Sequence, residues 1–267
     1  MAALLVLLVT ALGVIGFRTL WPTTSFLQEE PIDVYDGFEG ATLSPLWDTG
    51  RFATGAVAMQ SDFVRAGHGA ARITLRARDT FESGKNGSFD SERDELVEAR
   101  RLFSREGRSY EFSWSMYVPV DFPIVPVRLV VAQWKQECPR GMACDDDNPV
   151  LAVRYVRGIL SITQELSHKR IVLFRDTRDL RGRWLDLRFQ VRFTPQPSGY
   201  VKAWLDGTQV VDHTGVTANP ENSATGYRNP SLFYFKMGLY RDAMARPMTI
   251  YLDEYRKREL GGSQPAS

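Results

Sequence analysis

The segment Leu232–Tyr240 reads Leu-Phe-Tyr-Phe-Lys-Met-Gly-Leu-Tyr, and its strict alternation is the period-2 pattern of a half-buried strand. Phe233, Phe235, Met237 and Leu239 share one face, suited to a core, and Tyr234, Lys236, Gly238 and Tyr240 share the other. A lysine and two tyrosines on one rigid strand, with a glycine between them for close approach, suit a grip on an acidic sugar. An aromatic-rich strand with an ordinary exposed lysine has the same pattern. Two further polar groupings qualify: Glu92-Arg93-Asp94-Glu95-Leu96 and Gln133-Trp134-Lys135.

These residues need strands to hold them. Tyr110–Val118 alternates cleanly, with Tyr110, Phe112, Trp114, Met116 and Val118 on one face. Val127–Lys135 is a second strand, in which Gln133 and Lys135 share a face with Val127, Leu129 and Val131. Leu151–Tyr155 and Ile159–Gln164 pair around Arg157-Gly158, Trp184–Phe193 turns alternate residues inward, and Tyr200–Leu205 meets Gln209–Asp212 across Asp206-Gly207. Ala70–Arg78 and Met248–Tyr255 add strands, Asp33 begins a short one, and Glu82–Asp90 reads as a Ser/Gly/Asn-rich loop. About ten or more short strands at spacings of roughly 8 to 12 residues, without a helical period, predict an all-β fold. The architecture expected is an antiparallel β-sandwich of jelly-roll type whose strand faces carry the site.

The ordered set Arg-x-Glu-Leu, Gln-x-Lys and Tyr-x-Lys-x-Gly-x-Tyr resembles the polysaccharide lyases of the heparin lyase I, glucuronan lyase and alginate lyase kind, over roughly Phe89 to Tyr255. The resemblance implies a concanavalin-like jelly roll and β-elimination in a uronic-acid polysaccharide. Removing the proton beside the carboxylate needs that carboxylate neutralised, a base at the carbon and an acid at the leaving oxygen. By position, Gln133 and Arg93 would face the carboxylate, Tyr240 would be base, acid or both, and Lys236 would hold charge nearby. Glu95 would orient Arg93. Tyr234, Lys236, Glu95 and Arg241 form the expected substrate-binding set.

Where the family has histidine, this chain has Lys135, and its three histidines, His68, His168 and His213, lie outside the motifs and receive no role. Three options follow: Tyr240 as both base and acid with Lys135 adding charge, Lys135 as the base, or binding without cleavage. A tyrosine base needs cationic neighbours. Lys236 is a candidate, although a straight strand holds its Cα roughly 13 Å from that of Tyr240. A noncatalytic carbohydrate-binding jelly roll is the alternative reading. A glycoside hydrolase ranks below it, since no strand face carries closely spaced acids in a Glu-x-Asp-x-x-Glu pattern.

Composition bounds the rest. The chain of 267 residues is 43% apolar, enough for one sizeable core. Ala2–Phe17 is an apolar run, so residues 1–25 are read as an export signal or membrane anchor, 26–260 as the β domain and 261–267 as a disordered tail. The protein is expected to be periplasmic or extracellular, with the anchor retained or removed, and monomeric. Cys138 and Cys144, the only two cysteines, fit a local disulfide in that setting. Val150–Phe193 carries ten Lys and Arg against four acids, consistent with an acidic polysaccharide partner or with a solvated sheet face. Nucleic acid does not suit an exported protein. No cofactor or metal is assigned; Asp145-Asp146-Asp147-Asn148 offers calcium ligands but reads better as a solvated turn.

Overall fold

The alternation of the sequence becomes two antiparallel sheets in the computed structural model, which describes residues 30–83, 89–138, 148–220 and 231–261. The N-terminal apolar run, Cys144, Asp145, Asp146, Asp147 and residues 262–267 lie outside the described residues. Cys138 is disulfide-bonded. In chain order the strands are β1 (Asp33–Asp36), β2 (Trp47–Asp48), β3 (Val57–Gln60), β4 (Ala70–Leu75), β5 (Glu82–Ser83) and β6 (Phe89–Glu98). There follow β7 (Ser104–Arg105), β8 (Ser109–Val118), β9 (Leu129–Gln136), β10 (Leu151–Val156), β11 (Ile159–Leu166) and β12 (Lys169–Asp176). The last are β13 (Arg183–Arg192), β14 (Tyr200–Leu205), β15 (Thr208–Thr214), β16 (Leu232–Asp242) and β17 (Met248–Leu260).

One sheet runs β15-β14-β13-β8-β17-β4-β3, with β1 on β17; the other runs β12-β11-β10-β9-β16-β6-β2, with β5 on β6 and β7 on β16. The three polar motifs thus lie side by side on β9, β16 and β6. Between the sheets, Phe233, Phe235, Met237 and Leu239 of β16 are fully buried in one core cluster with Phe112, Trp114 and Phe189 of the facing sheet, and the Phe235 ring lies 5.3 and 5.1 Å from those of Phe112 and Trp114. Trp134 joins them, with its ring centroid 4.8 Å from Phe235 and 4.9 Å from Phe189. Such aromatic packing supplies a large part of the apolar burial that holds a sandwich together.

The expected hairpin at Asp206-Gly207 forms, both residues taking positive φ. Two features depart from the sequence reading. β12 was not anticipated, because its exposed Lys169, Arg170, Ile171 and Val172 show no buried alternation; it is an edge strand. Within the expected loop Glu82–Asp90, Glu82 and Ser83 pair with β6, and Phe89 and Asp90 already belong to that strand.

A third departure matters for the site. Ala132 faces Val153 while Val130 faces Arg154, so Val131 is an extra residue in β9 against β10. Against β16, Met237 faces Ala132 and Tyr240 faces Val130, which leaves two residues of β16 opposite one of β9. These bulges reverse the alternation. Leu129 and Val131 therefore join the core cluster, and the expectation that they share a face with Gln133 and Lys135 is corrected. Gly238 is required at the bulge: its φ is +142°, and a Cβ there would strike the backbone of Asp94 and Glu95 on β6. It admits a neighbouring strand, not a ligand.

A buried ion pair crosses between the sheets. Glu98 of β6 accepts from Lys257 of β17 at 3.0 Å and from the Tyr255 hydroxyl at 2.5 Å, and Lys257 also donates to the Leu102 carbonyl. Burial pushes the Glu98 carboxyl up and the Lys257 amine down, and their mutual attraction opposes both shifts. Removing one partner strands the other. Lys257→Met is expected to cost about 3–5 kcal/mol in denaturant unfolding, and adding Glu98→Gln should recover part of that loss. Loss below about 1 kcal/mol would show that the pair is not needed.

Candidate active site

On the outer face of the nine-stranded sheet lies a cleft of about 490 Å³ lined by all three motifs. Strand register sets its layout. Arg93, Tyr240, Val130 and Arg154 form one row across β6, β16, β9 and β10; Lys236, Gln133 and Ala152 form a second; Tyr234 and Lys135 face each other in a third. The first two rows are four residues apart on β16 (236 and 240), three on β9 (130 and 133) and two on β10 (152 and 154). The rows therefore converge toward β10 because of the bulges. Convergence brings Arg154 toward the Gln133 side of the cleft.

Six cationic side chains line this cleft, Arg93, Arg128, Lys135, Arg154, Arg170 and Lys236, against one lining carboxylate, Glu82. Like charges so gathered need compensation. Arg93 pairs with Glu82, Arg128 with Asp242 at 2.8 Å, Arg170 with Glu165 at 2.6 Å, and Lys236 with Glu95 at 3.7 Å. Arg154 lies 3.9 Å from Glu165 and donates through Nε to the Thr163 hydroxyl at 3.1 Å. Burial, reinforced by Arg170, lowers the Arg154 guanidinium to about 10. For Arg93 and Arg128 burial acts in the same sense, but neighbouring Glu95 and Glu82 outweigh it for the first and Tyr240 and Asp242 for the second, leaving both above the ordinary value.

Tyr240 is the centre of the first row. The Arg128 guanidinium donates through Nη1 to its hydroxyl oxygen at 3.0 Å. The guanidinium carbons of Arg128 and Arg93 lie 4.5 and 4.6 Å from its ring centroid, within cation–π range, and approach from either side of β16. The cationic neighbours a reactive phenol needs are thus two arginines. Lys236, the neighbour expected from the sequence, instead pairs with Glu95 and lies 5.5 Å from the Tyr234 ring.

Gln133, Lys135, Arg93, Tyr234, Lys236 and Tyr240 all line the cleft, as the sequence placed them. Two assignments change. Glu95 does not line it: buried beneath, it accepts from the Gln133 amide and pairs with Lys236, whereas the ion pair of Arg93 is with Glu82. Its charge still reaches Arg93. Arg241 is corrected outright. It points to the inner face of the sheet, fully buried, paired with Glu92 at 2.6 Å and bonded to the Arg246 and Met244 carbonyls. Its odd position, in step with Phe233 and Phe235, already implied that orientation.

Arg128, Arg154 and His168 are among the lining residues that no motif announced. Arg128 precedes β9, and Arg154 reaches the first row through a bulge. His168 occupies the β11–β12 turn, where Ser167 and His168 both take positive φ, 47° and 61°. The sequence reading puts His168 at a turn, as found, but gives it no role.

The two antiparallel sheets thus carry, on the outer face of one, a cationic cleft built around a tyrosine. The chain belongs to the polysaccharide lyase family, whose sequence model matches residues 38–256, and it is an enzyme that acts on polysaccharides. No curated protein sequence matches it. Among solved structures, the endo-β-1,4-glucuronan lyase of the fungus Trichoderma reesei is similar at 18% identity and a TM-score of 0.63, over 85% of this chain and 95% of that one. A family 7 alginate lyase in complex with substrate is similar at 13% identity and a TM-score of 0.54, over 79% and 84%. A cellulose-induced protein is similar at 12% identity and a TM-score of 0.53, over 84% and 96%. These likenesses bear on the fold, and they agree with the jelly-roll sandwich.

Behind Arg93, Asp94 turns inward and accepts from the Ala53 N–H at 2.7 Å. Burial, with Asp79 nearby, raises its carboxyl to about 7. Because the folded value lies above the unfolded one, this group's contribution to stability is full below about pH 4 and is lost as pH rises toward 7. Asp94→Asn, neutral throughout, should gain stability relative to the parent between those limits, as read from urea midpoints at acidic and alkaline pH. A gap between the two proteins that stays constant with pH would contradict this account.

Proposed function

We propose that this enzyme is an exported lyase that cleaves a uronic-acid-containing polysaccharide by β-elimination, with Tyr240 transferring the proton. The observation that carries the reading is the Tyr240 ring flanked by two guanidiniums, one of them bonded to its hydroxyl, in a cleft with six cationic side chains. The similar structures are lyases of glucuronan and of alginate, which supports an acidic polymer. Export is supported by the apolar run Ala2–Phe17 and by disulfide-bonded Cys138.

In this reaction the ionised Tyr240 oxygen takes the proton from the carbon beside the substrate carboxylate, and the electron pair of that C–H bond moves toward the carboxylate. Arg154 and Gln133 on the converging rows stabilise the charge that develops there. One N–H of Gln133 is committed to Glu95, and the second is available to a ligand. The carbon–oxygen bond on the neighbouring carbon then breaks, a carbon–carbon double bond forms, and the leaving oxygen receives the proton carried by Tyr240. Lys135, across from Tyr234, adds positive charge where the related motif has histidine.

The test is ultraviolet absorbance of the unsaturated uronate while residues 26–267 are incubated with glucuronan, alginate and glycosaminoglycans. A rise with one polymer is expected. Tyr240→Phe should lower kcat by about 10²–10⁴-fold while polymer binding persists. A flat trace for a folded protein that binds one of these polymers would instead favour a carbohydrate-binding module, and full activity of Tyr240→Phe would remove Tyr240 from the mechanism.

A further inference from the structure

We propose that Arg128 is the positioning residue that prepares Tyr240 for proton transfer. The inference rests on the reading of Tyr240 as the proton-transferring group, and it assigns a role to a residue outside every motif.

Arg128 is held before any ligand arrives. Its Nε donates to Asp242 Oδ1 at 2.8 Å, its backbone N–H donates to Asp242 Oδ2 at 2.9 Å, and the Asp242 N–H returns to the Arg128 carbonyl at 3.1 Å. With Nε and the backbone fixed, the guanidinium plane is fixed, and Nη1 is left aimed at the Tyr240 oxygen. Little side-chain entropy remains to be lost when charge develops.

Direction follows from donor chemistry. A guanidinium has no acceptor, so the Tyr240 oxygen must accept from Arg128. The proton of a neutral Tyr240 then points away from Arg128, and the oxygen lines the cleft where a leaving oxygen would lie. When Tyr240 is ionised, the same contact becomes a charge-assisted hydrogen bond of roughly twice the neutral strength. One arginine therefore serves both halves of the transfer.

The other charged groups around Tyr240 do not replace it. Arg93, on β6, faces the ring and is tied to Glu82; Arg154, on β10, is bonded to Thr163; Lys236, on β16 itself, is paired with Glu95. Lys135, His168 and Arg170 line the same cleft from β9 and the β11–β12 side. Only Arg128 has a hydrogen bond to the Tyr240 oxygen among the described residues.

The experiment compares Arg128→Met and Arg128→Lys with the parent enzyme. The arginine side chain is 38% exposed, so neither change opens the core. The ultraviolet phenolate titration of each free protein is recorded, and the same titration in the Tyr240→Phe background isolates the signal of this tyrosine. In Arg128→Met that signal should move to higher pH by about one pH unit or more, the size expected for one lost charge-assisted hydrogen bond. The pH dependence of kcat should move with it, KM should change far less than kcat, and Arg128→Lys should recover part of both. An unmoved phenolate signal and pH profile would overturn the proposal, even if activity fell. Because the titration needs no substrate, it separates the two claims: an active Tyr240→Phe defeats the parent reading, whereas an inactive Tyr240→Phe with an unmoved Arg128→Met titration defeats only this one.

Discussion

Electrostatic repulsion on one sheet face is the constraint to which the rest of the structure answers. Arg93, Arg128, Arg154, Arg170, Lys135 and Lys236 are brought within one cleft, and opposed only by water they would weaken the sheet that holds them. Carboxylates at the rim and beneath the floor offset this: Glu82, Asp242, Glu165 and Glu95 each hold a cation in place. The compensation is incomplete at the centre. Arg154 has its nearest carboxylate at 3.9 Å, and burial lowers its guanidinium.

The same division recurs in the interior. Glu92 with Arg241 and Glu98 with Lys257 are fully buried pairs on the inner side of the sheet that carries the cleft. Each occupies an inward position of β6, two residues on either side of Asp94 and Leu96, so this strand is charged on both faces. The strand is a poor candidate for a core element by hydrophobicity alone. Its place is specified by partners on β16 and β17.

The fold was legible wherever alternation was unbroken. β8, β13 and β16 show their inward residues one by one, and Asp206-Gly207 fixes a hairpin by its left-handed preference. The motif residues of the cleft were legible for the same reason, since Tyr234, Lys236 and Tyr240 follow from parity along one strand. Arg241 was open to the same parity, which turns it inward with Phe233 and Phe235. What sequence could not show were the bulges. Val131 has no signature that marks it as an extra residue, yet it decides that Val130 faces the cleft and places Arg154 in the row of Tyr240. Arg128 and His168 come from the ends of strands, where side-chain direction depends on backbone geometry, not on period.

The central claim is that the cationic cleft supports elimination, with no water consumed. The most direct measurement is mass spectrometry of the oligosaccharides released from a uronic-acid polymer in heavy-oxygen water. The account predicts a new non-reducing end lighter by one water than its hydrolytic counterpart, and no heavy oxygen beyond the reducing-end exchange of an uncut oligosaccharide control. Ends of full hydrolytic mass, with heavy oxygen above that control, would mean hydrolysis, and would contradict both the elimination and the role given to Tyr240.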